Sequence, residues 1–145
     1  MTREASPAID AYVSSCEAWL WGPGGRAFRR FLHARGLADE VLRANRVGAD
    51  PGPRAIPRAD GLPRGGPAVV LPLLEESGRA VYLQARYLQP RARKYDNPAS
   101  RLVPASPRLG EVRLPGPAAR ADVALVCEGI PDALSAAQAG WRSVA

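Results

Sequence analysis

The sequence predicts a mixed chain, α+β in its first half and α/β at its end: an N-terminal helical subdomain, a β-hairpin with a basic loop, and a final strand–turn–helix–strand unit. Three observations predict it. Ile9, Val13, Cys16 and Leu20 recur at helical spacing. Two apolar-rich runs, Ala68–Leu74 and 79–88, are joined by Glu75-Glu76-Ser77-Gly78, a turn whose glycine can take positive φ. The last 25 residues, ADVALVCEGIPDALSAAQAGWRSVA, set a short apolar run before a glycine turn and an alanine-rich stretch.

Each element follows from local chemistry. Gly22-Pro23-Gly24-Gly25 breaks the first helix, Phe28, Phe31 and Leu32 resume the pattern, and Gly36 ends the second helix. Residues 51–67, PGPRAIPRADGLPRGGP, are rich in Pro and Gly and read as a linker without regular structure. In the hairpin, Val81, Leu83, Ala85 and Tyr87 alternate with Tyr82, Gln84, Arg86 and Leu88, so Arg86 points away from the Val81 and Leu83 face. Residues 104–120 are a second loose segment. Val123 to Cys127 form a continuous apolar run, as expected of a strand buried on both faces. Gly129 permits the turn, Pro131 suits the first helical position, Asp132 sits where the helix dipole favours a negative charge, and Gly140 suits a left-handed C-cap. Ser143, Val144 and Ala145 should begin a strand beside 123–127, leaving the helix between them only a two-stranded remnant to pack on. The resulting division is 1–50 helical, 51–67 linker, 68–120 β-rich and basic, and 121–145 the partial α/β unit.

The charge is unevenly placed. The net charge is +6, and the window 79–113 holds Arg79, Arg86, Arg91, Arg93, Lys94, Arg101, Arg108 and Arg113 against Asp96 and Glu111, an excess equal to that of the whole chain. Concentrated positive charge suits phosphate binding, and Tyr95 is available to stack on a base. Lys94 is the lone lysine beside 19 arginines.

Other classes are set aside. No run of about 18 apolar residues exists, and MTREASPAID lacks the layout of a signal peptide, so no membrane partner is expected and the cytoplasm is the expected compartment. Cys16 and Cys127 fall in apolar surroundings and read as buried free thiols. With His33 they cannot make a four-ligand zinc site, so zinc is not expected.

The pattern EGIPDALSAAQAG closely resembles the opening of the Rossmann-like TOPRIM domain shared by DnaG-type primases, phage and plasmid primase-helicases, topoisomerases and related nucleases. Its EGxxDALSxxQAG form resembles the primase branch. The run VYLQARYLQPRARKYDNP is similar to the primase stretch before TOPRIM, matching at Arg86, Lys94, Tyr95, Asn97 and Pro98, with Asp96 departing from the usual apolar or small residue. FLHARGLADEVLRANRVGADP resembles a small helical module of the primase core, and its apolar positions imply packing.

The resemblance implies a primase that makes RNA primers on single-stranded DNA with Mg²⁺ or Mn²⁺, nucleotides as substrates and a replicative helicase as a further partner. It places a catalytic and metal-binding carboxylate at Glu128, with Asp132 as a second candidate ligand. It implies a template surface at Arg86, Arg91, Arg93, Lys94, Tyr95 and Asn97. The family's DxD pair does not occur before Ala145, so the expectation is a truncated form that binds nucleic acid and holds Mg²⁺ only weakly, with nucleotidyl transfer left open. Two alternatives stand beside it: a non-catalytic single-strand-binding accessory of a mobile element, and an inactive fragment.

Overall fold

The computed structural model describes residues 4–89, 93–103, 110–120 and 122–145. Helix α1 (Pro7–Trp21) starts at Ser6, whose Oγ accepts from the Ala8 amide, with Pro7 in the first turn where a missing N–H is harmless. A 3₁₀ turn (Pro23–Gly25) leads into α2 (Arg26–Ala34), and α3 (Asp39–Ala44) follows Gly36, which takes φ +81°. Strands β1 (Gly48–Asp50), β2 (Ala68–Leu74), β3 (Ala80–Tyr87) and β4 (Tyr95–Asp96) form an antiparallel sheet in that order. A second sheet has the order β5-β7-β6, from β5 (Glu111–Val112), β6 (Ala124–Val126) and β7 (Arg142–Val144), with α4 (Ile130–Gln138) linking the parallel pair β6 and β7.

The period of β2 explains how the layers stack. Val69, Leu71 and Leu73 face a core made with Phe28, Leu32, Val41 and Leu42, whereas Val70 faces a second core with Ile9, Val13, Cys16 and Leu83. A strand so placed is buried on both sides, which matches its unbroken apolar run. Helix α1 approaches β1 closely because residue 48 is glycine: a Cβ there would lie 2.6 Å from the Cys16 backbone.

Several expectations are corrected. Residues 48–50, read as part of the helical piece, are a strand paired to Ala68, Val69 and Val70. Three residues, one a glycine, are too few to show a period. Residues 51–67 have no helix or strand, yet Gly52, Ile56, Leu62 and Pro63 are buried and Arg58 is tied to Asp50, so the segment is packed against α1. Cys16 is buried as expected, but Cys127 is only half-buried.

The largest correction concerns the C-terminal unit. The run expected to be buried on both faces is the outer strand β6, with Leu125 38 % and Val126 83 % exposed. An apolar run states what burial a strand could use, and the neighbours decide whether it gets it. The sheet also has a third strand, β5, which two residues in a loose segment could not announce. Helix α4 does not rest on the small sheet alone: Ile130, Ala133, Leu134 and Ala137 enter the same core as Phe28, Leu32 and Val69. Burial of Ile130 and Leu134 contributes about 1.5–3 kcal/mol each. Gln138 adds two bonds across the junction, accepting from the Ala38 amide (2.6 Å) and donating to the Gly36 carbonyl (2.5 Å). Gly140 (φ +92°) closes the helix as expected, with Trp141 and Gly140 amides bonded to the Ala136 and Ala137 carbonyls in a Schellman arrangement.

Candidate nucleic-acid interface

The end of β3 carries Arg86, and the antiparallel register sets Tyr95 of β4 directly opposite it. The guanidinium lies 5.1 Å from the centre of the Tyr95 ring and donates to its hydroxyl at 3.2 Å. Among the described residues that is the hydrogen bond of the half-buried Arg86 side chain, so most of its five N–H donors are not used by the protein itself. Lys94 is exposed; its carbonyl accepts from the Tyr87 amide at 3.0 Å, which leaves its ammonium group uninvolved in holding the strand. Asn97 is exposed and accepts from Tyr82 Oη at 3.1 Å. Arg93 is 76 % exposed, with a loose 3.6 Å approach to Asp96. Arg91 lies outside the described residues.

Asp96, the departure from the family pattern, is accommodated by hydrogen bonds. Its carboxylate accepts from Tyr87 Oη at 2.9 Å and from the Asn97 amide at 3.0 Å. The polar side chain thus fastens the tip of β4 to β3.

Opposite β4 stands α2. Arg35 lies over the Phe31 ring at 4.7 Å, and both residues line a small cleft together with Leu37, Arg86, Tyr95 and Pro131. Two guanidinium–aromatic pairs therefore border one apolar cleft of about 10 Å³, closed below by Val69 and Leu71 of β2 and too small to admit a base, so only its rim is open to a ligand. Pro131 belongs to the turn that begins at Glu128, so this cleft is where the basic strand, the helical module and the EGIPD turn meet. Sequence context reads the helical module that contains Arg35 as packing from its apolar positions and gives Arg35 no separate role; the structure places it at the rim of the cleft. The signal that could have marked it is the Phe31–Arg35 pair at i, i+4, which places cation and ring on one side of a helix end.

The basic window is narrower in space than in sequence. Arg79 donates to the Ala5 carbonyl, Arg113 to the Glu75 and Glu76 carbonyls, and Arg101 pairs with Asp60. Arg79 stands at the far end of β3 from Arg86, about 23 Å away by strand rise. Arg108 lies outside the described residues. Of the eight basic residues in the window, Arg86, Arg93 and Lys94 are those the structure places together with their charge largely uncommitted.

Glu128 and Asp132 are both exposed, one at the β6–α4 turn and one in the first turn of α4. Among the described residues no three His, Cys, Asp or Glu side chains converge as a metal site. Mg²⁺ requires near-octahedral oxygen ligation, so the residues present here do not fit a divalent-metal centre on their own. Among the described residues no helix is long and apolar enough to cross a membrane.

No protein-family model and no curated protein matches this chain by sequence. Solved structures do match. A DnaG primase catalytic domain bound to single-stranded DNA superposes with a TM-score of 0.71 at 20 % identity, over 94 % of this chain and 53 % of the other. The RNA polymerase domain of Mycobacterium tuberculosis primase DnaG, in complex with a double-stranded DNA oligomer with a 6-nucleotide overhang, gives 0.71 at 21 %, over 94 % and 52 %. The fold is that of the DnaG primase catalytic core. The zinc-binding and RNA polymerase domains of the Aquifex aeolicus primase match with a TM-score of 0.63 at 21 %, over 95 % of this chain and 40 % of that one. The chain thus spans about half the length of the DnaG catalytic cores it matches. At this identity the likeness concerns the fold.

Proposed function

We propose that this chain is a primase-like protein that binds single-stranded DNA, guiding it along the Arg86–Tyr95 surface towards the Glu128 turn. The observation that carries the reading is the rim of the cleft: the Arg86–Tyr95 and Phe31–Arg35 pairs stand beside one another there, cations and rings suited to phosphates and bases, with Pro131 of the EGIPD turn next to them. The likeness to DnaG cores, one of them bound to single-stranded DNA, supports it. Arg91, Arg93, Lys94 and Asn97 extend this surface in the proposal. Nucleotidyl transfer would need oxygen ligands beyond Glu128 and Asp132, so binding is the share of the activity assigned to these residues.

The test is fluorescence anisotropy with a labelled oligodeoxythymidylate over a range of salt. Arg86→Ala with Lys94→Ala should lower affinity and flatten the slope of log K against log salt by about 0.7 for each phosphate no longer neutralised. An unchanged slope would remove the case for this surface.

A further inference from the structure

Residues 22–38 contain Arg26, Arg29, Arg30, Arg35 and His33, and no Asp or Glu. Arg29 is occupied, donating to the carbonyls of Leu20 and Gly22 at the end of α1. Arg35 lies on Phe31 at the cleft. Arg26 and Arg30 are exposed, and among the described residues neither takes part in an ion pair. Arg46, Arg58, Arg101, Arg120 and Arg142, by contrast, each hold a carboxylate, whereas Arg54 and Arg64 are exposed without an ion pair among the described residues, as Arg26 and Arg30 are.

Local physics disfavours this arrangement. The first turn of α2 has no acidic residue and begins with Arg26, where the helix dipole favours the opposite sign. Arg26 and Arg30 stand four residues apart, about 6 Å along the axis, and like charges at that spacing repel. Neither side chain contributes to the core, whose α2 members are Phe28 and Leu32. Such a pair gains nothing for the helix and is relieved by an anionic partner.

The geometry joins this pair to the cleft. At about 100° per residue, Arg26 and Arg30 lie on the outward face of α2, Phe31 and Arg35 lie on the flank towards β4, and Ala27 and Ala34 fall between them. Both alanines are exposed, so the helix surface between the two arginine pairs is a shallow strip without large side chains. We infer that single-stranded nucleic acid passing over the rim of the cleft crosses this strip, with two phosphates on Arg26 and Arg30. The inference rests on the Arg86–Tyr95 rim binding single-stranded DNA, and it makes the site longer than that rim.

Oligothymidylates of about 6 and about 16 nucleotides, lengths within the range of known single-strand sites, separate the two claims. Arg26→Gln with Arg30→Gln should weaken the long oligomer roughly tenfold at low salt and reduce its salt slope by about 1.4, the share of two phosphates. The short oligomer should bind unchanged. Arg86→Ala with Lys94→Ala should weaken both lengths, and circular dichroism should show the same helix content in every variant. If the long oligomer keeps its affinity and slope in the Arg26/Arg30 variant while the Arg86/Lys94 variant still weakens both, the track is wrong and the cleft stands. Equal loss at both lengths in the Arg26/Arg30 variant also overturns the track, because a general field would then explain it. Failure of the unaltered chain to bind either oligomer overturns both readings.

Discussion

Arg58 and Arg86 each lie over a tyrosine, at 5.0 Å from the Tyr12 ring and 5.1 Å from the Tyr95 ring, yet one pair is a structural clamp and the other an open surface. The Arg58 side chain is buried and bonds both oxygens of Asp50, with further bonds to the Ile56 and Pro63 carbonyls. Asp50 in turn accepts from Tyr12 Oη at 2.5 Å and from the Gly52 amide at 2.8 Å. Burial pushes the Tyr12 phenol and the Cys16 thiol far above their ordinary pKa values, so both stay neutral packing groups. Arg86 has a single hydrogen bond shown among the described residues. The stack is common to both sites; what distinguishes them is the number of guanidinium donors that the protein itself uses.

The comparison is most easily broken at the clamp. Asp50→Ala or Arg58→Ala strands a buried charge and should cost about 3–5 kcal/mol, read as a fall in the urea midpoint. A loss under about 1 kcal/mol would mean that the 51–67 segment is held by its apolar residues alone. Next in size is the α4 junction. Leu134→Ala opens a cavity in the shared core and should cost about 2–5 kcal/mol. In the same region, hydrogen exchange should find the α4 amides of Leu134 and Ala137 slow and those of Leu125 and Val126 fast. Uniformly fast exchange after residue 122 would show that α4 is not anchored in the main core.

A smaller effect is expected at Asp10, which accepts from Arg46 at 2.5 Å and from the Ala80 amide at 2.8 Å. The Arg46 hydrogen bond holds its carboxyl below the ordinary carboxylate value. A pKa depressed by folding stabilises the chain fully above the unfolded value of about 4, and that contribution is lost as pH falls through the folded value. Asp10→Asn should therefore lower stability at neutral pH, with the gap to the unaltered chain narrowing as the pH falls below the unfolded value of about 4. A gap that does not change with pH would assign the effect to the neutral hydrogen bond. The smallest stability change belongs to Arg86→Ala, within about 0.5 kcal/mol, although the same variant should weaken DNA binding. Destabilisation comparable to that of Arg58→Ala would erase the distinction between clamp and open surface.

What the sequence by itself determined are the features written in short-range patterns. The helical stripe of Ile9, Val13, Cys16 and Leu20, the Gly78 hairpin, the alternation that turns Arg86 away from the Val81 and Leu83 face, and the Gly129, Pro131 and Gly140 punctuation of α4 each depend on a few neighbouring residues. The sense of residues 142–144, parallel to β6, was legible because a strand–helix–strand crossover permits little else. Only the tertiary structure decided burial and commitment. β1 and β5 are too short to show a period and exist because partners pair with them. Val126 is as apolar as Val69, and position alone makes one exposed and the other buried. Arg79, Arg101 and Arg113 count as positive charge in the sequence, yet each finds carbonyls or a carboxylate on its own chain, while Arg35 is brought to the cleft beside Arg86. Charge is a property of a residue, but free charge is a property of its surroundings, and those are assembled from residues as distant in sequence as 31, 86 and 131.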